Sequence, residues 1–316
     1  MRIIFFGTPE FATAILKMMV ENGYRPLAVV TAPDRPSGRG LKMKSSSVKD
    51  YAEHVGLKVL QPIRLKDPEF LAQIHQLNPD LQFVVAFRML PKEVWEIPAK
   101  GTWNLHASLL PQYRGAAPIN HAIINGEHET GLTTFKIKHE IDTGEIAMRK
   151  SMTIGENETA GELHDRMMVV GANLVLDTIK AIEYGNIQLE SQEGVDESNL
   201  RLAPKLNAAF CKIDPSRSNQ EVHNLIRGLS PFPGASGELV NGDDHFPLKI
   251  FRSKISSMVA DDRNPGDLIS DGKSYIHMAC GRGMIEIHEL QVAGKKRLHV
   301  ADFLRGFPLS NRAKFI

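Results

Sequence analysis

Residues 103–123 read WNLHASLLPQYRGAAPINHAI. An amide, Asn104, and an imidazole, His106, stand two apart on what reads as a short strand, and i, i+2 residues of a strand point to one face. A stiff Leu109-Leu110-Pro111 loop, an Arg-Gly turn and an apolar helix follow at once. Working back from this strand, apolar runs recur at 3–6, 26–30, 59–60, 81–86 and 102–105, with helical patterns at 11–21, 47–55 and 69–77 between them. Asp67-Pro68 is a helix start of the N-cap-then-proline kind. Strands spaced by helices imply right-handed crossovers and an α/β fold built on a doubly wound, mainly parallel sheet. In such sheets ligands bind beyond the carboxyl ends of the strands, which is where Asn104 and His106 fall.

Downstream the period changes. Residues 133–138 and 146–153 alternate as an antiparallel pair, separated by a turn at Asp142-Thr143-Gly144, and an amphipathic helix is predicted over 159–183. The stretch 187–207 is polar and irregular and reads as an interdomain linker. Beyond it come a helix near 219–229 and strand-like runs at 237–240, 248–251, 274–278 and 284–290, punctuated by Asn241-Gly242, Asn264-Pro265-Gly266 and Asp271-Gly272. Short strands with such turns suggest a small β-barrel of the oligonucleotide-binding type. The expected division is therefore 1–186, a linker over 187–207, and a C-terminal barrel domain over 208–316.

Composition bounds the class of protein. The 316 residues are 42% hydrophobic and 24% charged with net charge +1, ordinary for a soluble globular chain. No apolar run is long enough to span a membrane, and a strand pattern from residue 2 leaves no room for a targeting peptide. Cys211 and Cys280 lie far apart without a CxxC spacing, so a disulfide framework is not expected and a cytoplasmic location is. Charge is uneven: Arg35, Arg39, Lys42, Lys44 and Lys49 crowd a short Gly-containing segment with Asp34 as its acidic member. Such a segment can meet phosphates, although a solvated loop has the same composition.

The first strand ends in Gly7-Thr8-Pro9-Glu10 rather than G-x-G-x-x-G, and Pro9 with Glu10 would crowd and repel a pyrophosphate. No Walker A motif occurs, and Ser108 lacks the G-x-S-x-G elbow of a nucleophilic serine. Asn104 and His106 on their own also fit a capping amide and a surface histidine. A metal site from His106, His121 and Asp142 lacks a recognisable ligand spacing, so no metal is expected. Amide, imidazole and carboxylate together suit acyl transfer without a covalent enzyme intermediate. Asn104 and His106 would donate to the developing oxyanion, and Asp142 would orient the ring and favour its protonated form.

The block NLHASLLPQYRGAAPINHAIINGEHETGLTTF, followed by EIDTGEI, resembles the core signature of the folate-dependent formyltransferases. The resemblance implies Asn104, His106 and Asp142 as the catalytic trio, and Ser108, Leu109, Leu110 and Pro111 at the tetrahydrofolate. RIIFFGTPEFA, TAPDRPSGRG, LPKEVW, RGAAPIN, PKL and AGKK extend it over nearly the whole chain, in the form typical of the methionyl-tRNA formyltransferases. That family moves a formyl group from 10-formyltetrahydrofolate to the α-amine of methionine on the initiator tRNA. The resemblance then implies a formyltransferase domain followed by a tRNA-binding barrel, with Arg39, Arg35 and Lys205 as tRNA contacts and Phe87, Met89 and Leu90 at the pterin. A monomer is expected, with initiator Met-tRNA and formylated folate as partners and no membrane. One departure stands out: VVAFRMLPKE is a residue shorter than the usual Ala-Tyr-Gly version, and Arg88 replaces small residues. Related formyl-folate enzymes acting on sugar nucleotides, on purine precursors or on water share the trio, and a non-catalytic RNA-binding relative would have lost it.

Overall fold

In the computed structural model, residues 1–37, 42–260 and 262–316 are described; Arg39 lies outside them. The chain forms two compact units. One comprises Met1–Gly115, Gly131–Met152 and His164–Leu202; the other comprises Ala116–Thr130, Thr153–Leu163 and Ala203–Ile316.

The first unit begins with β1 (Ile3–Gly7), α1 (Glu10–Glu21) and β2 (Ala28–Val30). A hairpin of β3 (Arg35–Ser37) and β4 (Lys42–Lys44) follows, then α2 (Ser47–His54), β5 (Val59–Leu60) and α3 (Pro68–Leu77). β6 (Leu81–Val85), α4 (Lys92–Trp95) and β7 (Thr102–His106) lead to α5 (Pro118–Ile124), which belongs to the second unit. β8 (Glu129–Lys136), β9 (Ile146–Thr153) and α6 (Ala160–Tyr184) follow. The sheet order is β5-β2-β1-β6-β7-β8-β9. Pairing is parallel from β5 to β7 and turns antiparallel between β7 and β8.

β1 is buried along its whole length because a parallel sheet covered on both faces needs apolar residues at every position. Ile4 and Phe6 pack on one side against Phe70 and Ile74 of α3 and Val94 of α4. α3 shows why a helix starts where it does. Asp67 accepts the N–H groups of Glu69 at 2.9 Å and Phe70 at 3.4 Å, and Pro68 occupies the first turn, where no N–H is needed. Burying Phe70 and Ile74 stabilises the unit by about 1.5–3 kcal/mol each. The basic stretch expected as a loop contains the β3–β4 hairpin, which sets Arg35 directly opposite Lys44.

In the second unit, α7 (Asn219–Gly228) opens on a capping box of Ser218 and Glu221. It is followed by β10 (Ala235–Asn241), β11 (Asp244–Ile255), β12 (Leu268–Ser270), β13 (Ile276–Ala279) and β14 (Met284–Val292). β15 (Leu298–His299), α8 (Val300–Gly306) and β16 (Lys314–Phe315) end the chain. The strands run β12-β13-β14-β11-β10-β16, and a bridge between Asp267 and Lys314 brings the two edges of that order together. The sheet is thus an antiparallel, nearly closed barrel, which removes the exposed edges. Register shifts beside Arg252 bend the long β11 so that it can serve the curve. β12, β15, β16 and α8 are additions to the strands legible in the sequence; each strand among them is two or three residues long.

The polar stretch after α6 divides. Glu190 forms a bridge with Ile146, and residues as far as Leu202 stay with the first unit, while Ala203 onward joins the second. The two thiols are packed into the second unit's core, and burial pushes the Cys280 thiol up to about 12 and raises that of Cys211. Both cysteines are therefore expected to resist a chromogenic disulfide reagent at mildly alkaline pH and to react only on unfolding. Rapid labelling of either in the native protein would contradict this packing.

Candidate active site

β7 delivers the first two groups. Asn104 pairs with Val84 of β6 and Phe135 of β8, while His106 lies opposite Thr133 at the strand's end. Leu105, between them, faces α6, where the helix comes so close that a Cβ on Gly171 would stand 2.9 Å from the leucine. The opposite face is left to Asn104 and His106. Asn104 is half-buried, and among the described residues its side-chain amide takes no protein partner. A polar group at this depth without a protein partner is available to a ligand.

His106 is 6% exposed and held at one ring nitrogen. Nε2 lies 2.9 Å from the carbonyl oxygen of Tyr113, so Nε2 donates. Nδ1 stands 3.7 Å from Oδ2 of Asp142, an ion pair when the ring is protonated. That separation is too long for a direct hydrogen bond and leaves Nδ1 open to a third group. Tyr113 is itself fixed: it is buried, has φ +61°, and its N–H donates to the Arg201 carbonyl at 2.6 Å.

Asp142 sits on a turn with φ +56°, a conformation that short polar residues tolerate best. Its Oδ2 accepts the Gly115 N–H at 3.0 Å, and its own carbonyl accepts from Gln192 Nε2 at 3.1 Å. Gln192 also donates to the Gly144 carbonyl at 2.6 Å and accepts from Arg114 at 2.9 Å. Gly144 has no room for a side chain, since a Cβ would fall 1.7 Å from the Lys136 carbonyl oxygen. One amide from the polar stretch thus locks the turn that carries the carboxylate.

The other residues singled out in the sequence are dispersed. Ser108 is fully buried; its hydroxyl donates to the Gln112 carbonyl at 2.6 Å and its carbonyl accepts from Thr133 Oγ1 at 2.6 Å. Leu110 packs with Phe135 and Ile146, and Arg149 Nε donates to its carbonyl at 2.8 Å. The Leu110-Pro111 bond is cis, and Leu109 and Pro111 are half-buried. After β6, Leu90 joins the core, Met89 is 70% exposed, and Phe87 stands edge-on to Phe6. Arg35 lines a cleft with Phe87. Lys205 is exposed in the second unit. Among the described residues no group of three or more His, Cys, Asp or Glu could hold a metal ion, and no helix is long and apolar enough to cross a membrane.

Sequence reading passed over Gln192, Thr133, Arg149 and the backbone groups of Tyr113 and Gly115. Gln192 lies in a run of polar residues with no period, and nothing local marks it as buried. The Arg-Gly of the quoted stretch was a turn signal, but which carboxylate its amide would meet is a matter of tertiary contact.

Replacing Gln192 with Ala leaves the Asp142 and Gly144 carbonyls short of a donor and is expected to cost about 1–3 kcal/mol. Gly144→Ala should cost about the same or more by overpacking. Chemical denaturation checks both, and turnover should fall with them; a fully active, equally stable Gln192→Ala variant would show that the turn holds itself.

A model of the family described as "Formyl transferase" matches residues 1–179, and one described as "Formyl transferase, C-terminal domain" matches residues 205–308. The methionyl-tRNA formyltransferase of Flavobacterium johnsoniae is 51% identical over 314 residues, covering 99% of this chain and 98% of that one. That of Bacteroides fragilis is 46% identical over 320 residues, covering 99% and 97%. Among solved structures, an N-formyltransferase from Helicobacter canadensis in complex with folinic acid and dTDP-3-aminofucose has a TM-score of 0.68 at 20% identity, covering 94% of this chain and all of that one (100%). HypX from Aquifex aeolicus in complex with tetrahydrofolic acid has a TM-score of 0.65 at 16% identity, covering 98% and 48%. At such identities these structures share the fold alone. The chain belongs to the formyl transferase family, in the branch of the methionyl-tRNA formyltransferases.

Proposed function

We propose that Asn104, His106 and Asp142 carry the transfer of a formyl group from 10-formyltetrahydrofolate to the α-amino group of methionine on initiator Met-tRNA. The reaction is an acyl transfer between nitrogens. The neutral amine attacks the formyl carbon, a C–N bond forms, and the carbonyl oxygen becomes an oxyanion. The bond from that carbon to N10 of the folate then breaks; the amine gives up one proton and N10 gains one, so no external acid or base is consumed. The Asn104 amide and protonated Nδ1 of His106 donate to the oxyanion. Asp142, 3.7 Å from that nitrogen, relays the amine's proton through water.

The observation that carries this reading is the pairing of a half-buried amide that has no protein partner with an imidazole pinned at Nε2 and open at Nδ1. A structural amide or a merely buried histidine would have used those groups internally. Residues 1–186 serve as the catalytic domain and 208–316 as the tRNA-binding domain, joined through 187–207. The pterin lies along 87–90 and 108–111. There the backbone and flanking apolar atoms provide the contact, since the Ser108 hydroxyl is committed to Gln112. Arg39, Arg35 and Lys205 meet the tRNA backbone, whose charge demands contacts spread beyond the catalytic crevice. The protein acts as a cytoplasmic monomer without a metal.

Asn104→Ala is expected to lower kcat by about 100- to 1000-fold, the usual effect of losing one oxyanion donor. Asp142→Asn should lower kcat by about 100-fold with little change in folate binding. Rates with 10-formyltetrahydrofolate and charged initiator tRNA check both. Wild-type turnover in an Asn104→Ala, His106→Ala double variant would refute the assignment, and formylation of a sugar amine but not of Met-tRNA would replace the acceptor.

A further inference from the structure

The nitrogen that His106 offers to the reaction is chosen by the one it withholds. Nε2 is bonded to the Tyr113 carbonyl at 2.9 Å, so a neutral ring carries its proton there and leaves Nδ1 on the side of Asp142. The opposite tautomer would set a bare Nε2 against a carbonyl oxygen, lone pair to lone pair. That carbonyl belongs to no strand. It lies on a residue with φ +61°, a conformation a tyrosine holds only where its surroundings impose it.

What imposes it is the polar segment after α6. Asp196 caps a single turn of 3₁₀ helix, Glu197–Asn199, by accepting from the Ser198 N–H at 3.0 Å, the Ser198 hydroxyl at 2.7 Å and Asn199 Nδ2 at 2.8 Å. The residues that leave this turn are met by Gln112 and Tyr113. Gln112 Oε1 accepts the Arg201 N–H at 2.8 Å, and Gln112 Nε2 donates to the Asn199 carbonyl at 3.2 Å. The Arg201 carbonyl accepts the Tyr113 N–H at 2.6 Å. Both backbone groups of Arg201 are thus taken by adjacent residues of the loop, as in a ladder where a side-chain amide replaces one backbone group. The main chain of Gln112 serves the loop itself: its N–H donates to the Leu109 carbonyl at 3.1 Å and its carbonyl accepts from Ser108 at 2.6 Å. An alanine at 112 keeps those two bonds and loses the two made by the amide.

We propose that Gln112 is a positioning residue for the transfer. By tying residues 199–201 to the Tyr113 peptide, it fixes the carbonyl that holds the His106 proton at Nε2, and so keeps Nδ1 turned to the reacting carbon. The inference rests on the roles proposed above for Asn104, His106 and Asp142, and adds the group that selects the ring's tautomer. Gln112 acts through the backbone of another residue and not on either reactant. An amide suits the task because it must accept one bond and give one, which neither a carboxylate nor a cation can do.

Full-length wild type is compared with Gln112→Ala, Gln112→Met and Asp196→Ala. Nitrogen-15 shifts of the His106 ring, assigned by their loss in His106→Gln and read in alkaline buffer where an imidazole is neutral, report which nitrogen holds the proton. Wild type should be protonated at Nε2, and Gln112→Ala should show both tautomers in exchange. Its kcat for Met-tRNA formylation should fall by about 10- to 100-fold, with KM for tRNA and for 10-formyltetrahydrofolate within about twofold of wild type. Gln112→Met keeps the side chain's length but neither bond, and should match Gln112→Ala. Asp196 is exposed, and Asp196→Ala loosens the strap from its far side, so both readings should move in the same direction by less. A wild-type ring protonated at Nδ1, wild-type kcat in Gln112→Met, or a lowered kcat with the tautomer unmoved would each overturn the proposal. A raised folate KM at unchanged kcat would also overturn it, by making Gln112 a folate contact. Circular dichroism identifies loss of folding; should Gln112→Ala not fold, an unmoved tautomer in Asp196→Ala overturns the proposal instead. Failure of wild type to formylate any Met-tRNA would sink the proposed reaction. The nitrogen shifts need no substrate, so an unmoved tautomer in Gln112→Ala then overturns the strap separately.

Discussion

The carboxylate of Asp142 stands where it does because its backbone cannot relax elsewhere. A left-handed residue, a glycine two positions on that admits no Cβ, and a buried glutamine bonded to both carbonyls fix the turn in one shape. That shape aims Oδ2 at the Gly115 N–H and at His106. His106 in turn holds the Tyr113 carbonyl, so the loop after β7 and the turn before β9 close on one imidazole. At 3.7 Å the ring and the carboxylate make no direct hydrogen bond, so Nδ1 stays open.

This arrangement makes the site a feature of rigid backbone rather than of mobile side chains. Asn104 and His106 sit on a strand paired on both sides, and its other face is pressed against α6. Donors held in place by paired backbone cost no reorganisation when charge develops beside them. The same economy appears in Ser108, whose hydroxyl and carbonyl both serve the loop's own geometry.

The electrostatics divide in a complementary way. Near Asp142, one negative group is surrounded by donors; at the β1–β6 switch point, Arg35, Lys44 and Arg88 face a cleft with no acid in its lining.

Much of this was legible in the sequence. The alternation of apolar runs with helical periods gave the parallel sheet, since both faces of such a sheet must be apolar, and β1, β5, β6 and β7 fall where those runs are. Asp67-Pro68 marked α3 because capping chemistry is local. The i, i+2 spacing put Asn104 and His106 on one face by strand geometry alone. Strands of two or three residues, β12, β15 and β16, carry too little period to be read, and they exist because the barrel's neighbours supply their hydrogen bonds. Gln192 read as linker because burial of a polar side chain depends on partners some fifty residues away. The cleft's charge likewise had only half a local sign: Arg35 and Lys44 were visible as a basic run, but Arg88 joins them through the sheet order, which places β6 beside β1. Residue type and period act over a few positions and determine which elements form; which groups meet across them is settled only when long-range packing and hydrogen bonding bring distant backbone together.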